Sequence, residues 1–156
     1  MQPNYQHEVF ETEAGIAKLR ECFRHELSAV ETYQIALKSV THVGLHHTLQ
    51  ELLVSHHRRA DHLRVRIGLQ GGEPPSGAGV WGAFAKAVQL GADLLGDRVA
   101  IGALEQGEDR GMKLYTEGIE GCDASTRTFI VMELLPEQQR THELCRMLKS
   151  LVNAPN

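Results

Sequence analysis

Four stretches of this chain repeat apolar residues at steps of three and four, a period that suits helices burying one face each and does not suit strands. Between 13 and 40 the repeating positions are Ile16, Leu19, Phe23, Leu27, Val30 and Leu37. After a break at 41–45 containing Gly44, a second run carries Leu49, Leu52, Leu53, Ala60, Leu63 and Ile67. It stops at Gly71-Gly72-Glu73-Pro74-Pro75, where glycine suits a left-handed cap and proline cannot continue a helix. A third run, 97–120, holds Ile101, Leu104, Met112 and Ile119, and a fourth spans 124–152.

The connections order these helices. The breaks at 41–45 and 121–123 are short, so each joins an antiparallel pair. Residues 71–96 are long enough to return along a bundle, which sets the third helix parallel to the second; within them 80–88 reads as a short amphipathic helix. Pro136 falls inside the fourth helix and is expected to bend it, because it lacks a donor and clashes with the preceding turn. The predicted architecture is all-α: an up-down four-helix bundle with a long crossover carrying a short helix. An arm at 1–12 precedes a single domain at 13–152, and a tail at 153–156 follows it.

Composition agrees with that fold and narrows the partners. The 156 residues are 42% hydrophobic but only 5% aromatic, a balance that favours helix-on-helix packing in one domain. A formal charge of -4 supplies no general attraction to nucleic acid or anionic lipid. No stretch approaches the roughly 18 apolar residues of a spanning helix, and the first residues lack a basic region followed by an apolar run. Cys22, Cys122 and Cys145 have no CxxC spacing, which fits a reducing cytoplasm. No Gly-x-Ser-x-Gly elbow, phosphate loop or dinucleotide-binding glycine pattern is present.

Three polar residues stand where the helical pattern demands apolar ones. At about 100° per residue, Glu108 points among Ile101, Leu104, Met112, Tyr115 and Ile119, and His56 among Leu49, Leu52, Ala60 and Leu63. Glu26 lies on the inward side beside Phe23 and Val30. Counted from the connecting turn, Glu26 and His56 differ by only about 6 Å in height. Glu108 sits at a height comparable with Gln138, Gln139 and His142. Unpaired charges there cost several kcal/mol each, so these groups must be neutralised, hydrogen-bonded or coordinated. Tyr33 follows Glu26 by seven residues, as Tyr115 follows Glu108, so each hydroxyl can serve a carboxylate of the partner helix.

The segment Phe23-Arg24-His25-Glu26-Leu27-Ser28-Ala29-Val30-Glu31-Thr32-Tyr33 resembles the first helix of rubrerythrin-type ferritin-like proteins. Gly71-Gly72-Glu73-Pro74, Trp81-Gly82-Ala83-Phe84 and Gly107-Glu108-Asp109 through Tyr115 resemble more closely a bacterial family of ferritin-like bundles of unassigned function; the similarity runs over roughly 14–150. Such di-iron proteins supply one Glu from each of two helices and a Glu-x-x-His pair from each of the others. By position the lone glutamates correspond to Glu26 and Glu108, with Glu105 one turn earlier. The pairs correspond to His56 with Arg59 and Gln139 with His142, so both bridging carboxylates are missing.

Two readings follow. In one, Glu26, His56, Glu108 and His142 hold a transition metal (Fe, Mn or Zn), with Tyr33, Tyr115, Glu105 and Gln139 around them, in a role in metal handling or stress. In the other the cluster is a metal-free buried network, and the chain is a helical interaction or scaffold module forming a homodimer through Trp81, Phe84 and Val88.

Overall fold

The structure, a computed structural model, describes residues 5–79 and 96–154. All regular elements among them are helical. They are α1 (Tyr5–Ser39), α2 (Val43–Leu69), α3 (Asp97–Thr116), α4 (Ala124–Phe129) and α5 (Leu135–Asn153), with a π-helical turn at Ile130–Leu134 fusing α4 to α5 into one rod. No helix among the described residues is long and apolar enough to cross a membrane. The amphipathic segment expected at 80–88, with Trp81, Phe84 and Val88, lies outside the described residues.

Helix α1 begins at Tyr5, so most of the expected arm belongs to the first rod; residues 5–12 lack the apolar period from which 13 was inferred as the start. Helix α3 ends at Thr116 rather than 120, because Gly118 takes a positive φ of 70° that an α-helix cannot contain. The other boundaries agree with the sequence reading to within about three residues.

Direction along the bundle is fixed by contacts at its two ends. Asp97, at the start of α3, accepts hydrogen bonds from the backbone N–H groups of Thr41 and His42, both 2.8 Å, which lie between α1 and α2. These bonds satisfy donors that the start of α2 leaves open. Burial pushes the Asp97 carboxyl up, but the Thr41 and His42 donors together outweigh it and hold it below the usual range. At the opposite end Gln70 donates to Thr126 at 2.8 Å, joining the end of α2 to the start of α4. Helix α3 therefore runs parallel to α2, and α1 and the α4–α5 rod run antiparallel to both.

Pro136 is the second residue of α5, where its missing donor is harmless. The strain expected from it is taken up just upstream, where the Leu135 N–H bonds back to the Ile130 carbonyl in the wider π pattern. A π turn takes up one residue more than an α turn, so the inward face beyond it shifts by one residue, about 100°. Downstream, Leu134, Gln138, Thr141, Cys145 and Leu148 are buried; the stripe of α4 continued without a π turn would instead have brought Glu137 and Arg140 inward.

The apolar interior consists of two clusters. One joins Val30, Ala36, Leu45, Leu49, Ile101 and Leu148, with Tyr33 in it; the other joins Leu19, Phe23, Leu63, Ile67, Leu114 and Ile130, with Tyr115 in it. The layer between them is polar.

Candidate functional site

Every helix contributes to that layer except the short α4. Helix α1 brings Glu26 and His25, α2 brings His56 and Arg59, α3 brings Glu108, and α5 brings Gln138 and Thr141; all seven are buried. Six of the seven sit on inward stripes that are otherwise largely apolar, so helical period delivers them to the interior, while His25 lies about 100° from Glu26 on the side of the buried Ser28 and Thr32.

His56 stands between the two carboxylates. Its Nδ1 lies 2.7 Å from Glu26 Oε2 and its Nε2 lies 2.9 Å from Glu108 Oε1. Arg59, one turn further along α2, places its Nε 3.2 Å from Glu26 Oε1 as an ion pair. Tyr115 donates its hydroxyl to Glu26 Oε1, while Tyr33 donates to Glu108 Oε1 at 2.6 Å. The other oxygen of Glu108 accepts from Gln138 Nε2 at 2.7 Å and from the Thr141 hydroxyl at 2.9 Å; Thr141 in turn accepts from Arg59 Nη1 at 3.3 Å. The four carboxylate oxygens thus all have partners.

Charge decides the protonation. Two carboxylates facing one guanidinium leave one negative charge, and a cluster this deeply buried is neutral when His56 carries a proton on each ring nitrogen. Burial and Arg59 depress the His56 imidazole, but Glu26 and Glu108 outweigh both and raise it above its ordinary value. Arg59 Nη2 also lies 2.7 Å from Nδ1, so Glu26 and the guanidinium share that edge of the ring. For Glu26, burial pushes the carboxyl up while Arg59 and His56 pull it well below the usual range. For Glu108 burial again acts upward, and His56, then Arg59 and Tyr33, bring it down to about 2. His25 behaves oppositely: burial, against the pull of Glu26, lowers it to about 4, so it is a neutral imidazole.

Glu26, His56, Glu108, Tyr33 and Tyr115 are therefore brought together, while the remaining residues singled out from sequence are not. His142 is near the surface, its Nε2 2.7 Å from Asp109 Oδ1. Glu105 pairs with Lys149 at 2.6 Å, and Gln139 is exposed. Correspondence with a Glu-x-x-His pair points to Gln139 and His142, but the period of α5 runs through Gln138 and Thr141, each one residue earlier. Arg59, Gln138, Thr141 and His25 complete the cluster. The first three were legible as polar members of stripes spaced four and three apart, and His25 as the residue beside Glu26.

The donor set does not fit a divalent ion as arranged. Both imidazole nitrogens are occupied by carboxylates, and the Arg59 charge already lies against Glu26. Among the described residues no group of three or more His, Cys, Asp or Glu is disposed to hold a metal. Space is restricted as well. The cavity beside the cluster, lined by His25, Thr32, Tyr33, His56, Leu104 and Glu108 among others, measures about 20 Å³, enough for about one water. A small-molecule site commonly needs some hundreds of Å³. No family model, characterised protein or solved structure matches the chain.

Proposed function

We propose that this chain is a metal-independent helical interaction module, ferritin-like in architecture, in which a buried and electrically neutral cluster holds four helices in register. The observation that carries the reading is Arg59. Its guanidinium lies against Glu26 with protonated His56 alongside, so two internal cations balance Glu26 and Glu108 without any ion from solution. A polar layer of this kind disfavours sliding or rotation of one helix against the next, because any shift strands a buried charge at a cost of several kcal/mol. The cavity beside it argues in the same direction, since among the described residues it has room for about one water. Function then resides on the outer faces, where the module meets a partner, and self-association is the simplest form of that.

Metal handling is the competing reading, favoured by the meeting of Glu26, His56 and Glu108 in one layer. Elemental analysis of untagged protein prepared without chelator separates the two. The proposal expects less than about a tenth of an equivalent of Fe, Mn or Zn and no change in melting temperature on adding any of them. More than about half an equivalent, lost in a folded Glu108→Ala variant, overturns it.

A further inference from the structure

Helix α5 carries a second apolar stripe that its present seating leaves outside. Leu144, Met147 and Leu151 follow one another at steps of three and four, and with Glu137 and Arg140 they make one continuous face. Met147 is 61% exposed and Leu151 65%, while Leu144 is half-buried. This face lies about 100° around the helix from the one through Gln138, Thr141, Cys145 and Leu148. It is also the face that α4 would extend if Ile130–Leu134 were an ordinary turn. Eleven residues, about three turns, separate the buried Thr126 from Glu137 and the buried Phe129 from Arg140. Two separate features, the extra residue of the π turn and the exposed apolar side chains well beyond it, thus single out the same face.

We infer that α5 is a two-position element: when the π turn closes to an α turn, the helix rotates about its own axis by about 100°, and Leu144, Met147 and Leu151 replace Cys145 and Leu148 in the core. Among the helices of the polar layer, α5 is the one free to do this. Glu26, His56 with Arg59, and Glu108 fix α1, α2 and α3 by charge, whereas α5 supplies only the Gln138 amide and the Thr141 hydroxyl. Its rotation removes no ion from the layer. It brings in Glu137 and Arg140, one charge of each sign, so the interior stays neutral. The same rotation releases two outer ties to α2, from Ser55 Oγ to Glu137 at 2.7 Å and from Arg140 Nη1 to Glu51 at 2.5 Å. Pro136 favours the present position, because in an α turn its missing donor and its ring oppose the carbonyl four residues back. In the second position Gln138, Thr141 and Cys145 come outward, so the face that α5 offers to a partner depends on one short turn. The inference goes beyond the interaction-module reading and fails separately from it, since metal content decides that reading and thiol exposure this one.

Cys145 reports the rotation, because it is buried now and outward in the second position, whereas Cys22, buried on α1, is freed only by global unfolding. The test is labelling of the native, intact chain with iodoacetamide, followed at each cysteine by peptide mass spectrometry. Wild-type Cys145 is expected to react about tenfold faster than Cys22, or more, the mark of a local opening. Pro136→Ala is expected to speed Cys145 further, by up to about a hundredfold, and to leave Cys22 no faster. Deleting the exposed Met132 removes the extra residue and leaves Ile130 and Leu134 three apart, as an α turn allows; this variant is expected to fold and to label Cys145 no faster than Cys22. Equal rates at the two cysteines in wild type overturn the inference. So does a Pro136→Ala variant in which Cys145 gains nothing over Cys22, or a Met132 deletion that fails to fold or still labels Cys145 ahead of Cys22.

Discussion

Tyr33 and Tyr115 are exchanged between the two halves of the bundle. Each stands seven residues after a glutamate of its own helix and gives its hydroxyl to the glutamate of the other, Tyr33 to Glu108 and Tyr115 to Glu26. Each also belongs to a different apolar cluster, so the pair pins the polar layer from both sides. Tyr33→Phe and Tyr115→Phe should each cost about 1–3 kcal/mol, the price of leaving a buried carboxylate oxygen short of a donor. Urea denaturation checks this, and values differing several-fold between the two variants would contradict their equivalence.

Arg59 carries a larger share. Arg59→Met should destabilise by about 3–5 kcal/mol, because Glu26 is left buried with too little positive charge around it. Adding Glu26→Gln to that variant should recover a good part of the loss. A variant Arg59→Met as stable as wild type in denaturant would show that the guanidinium is not what balances the cluster.

Stability should fall on the acid side in two stages. His25, surrounded by Glu26, His56, Glu108 and Arg59, has its proton affinity lowered from 6.5 to about 4. The unfolded chain therefore binds that proton first, and stability is lost as pH drops from about 6.5 to 4, with a slope of about 1.4 kcal/mol per pH unit at most. Glu108, lowered from 4.5 to about 2, adds a second loss below about pH 4.5. His56 has the opposite sign: its raised affinity stabilises fully below 6.5 and is lost as pH rises through the folded-state value. Melting temperature against pH tests this, and His25→Phe should flatten the region between 6.5 and 4. An unchanged slope in that variant would assign the acid loss elsewhere.

At Gly111 helix α3 packs tightly against α1 and α5 in this layer. A Cβ there would lie 2.6 Å from Gln138 Nε2 and 2.7 Å from His25 Nε2. Gly111→Ala should therefore destabilise by about 1–3 kcal/mol despite the gain in helix propensity. Gly102→Ala, where nothing lies within 4 Å, should stabilise slightly. Thermal melts of the two variants give the comparison, and a stabilised Gly111→Ala would refute the close approach.

The convergence of Glu26, His56 and Glu108 was legible because a charged residue inside an apolar stripe is conspicuous, and because heights counted from a short turn are reliable in straight helices. The role of Arg59 is hidden from the motif, which presents it as an absent ligand, whereas a guanidinium one turn from His56 is itself a counter-ion. Motif correspondence selects Gln139 and His142, whereas the spacing Leu134, Gln138, Thr141, Cys145, Leu148 points to other residues. The π turn leaves no propensity signature of its own. Only the mismatch between the stripe through Thr126 and Phe129 and the one through Leu134 and Gln138 betrays it.

That turn has an effect reaching beyond its five residues. Straightened into ordinary α-helix, the same sequence would roll Glu137 and Arg140 toward Glu108 and carry Gln138 and Thr141 away. The last rod therefore encodes two alternative linings, one amide and hydroxyl, the other ionic, and a local widening of the backbone selects between them. In such a bundle the identity of an interior is written in helical phase as much as in composition.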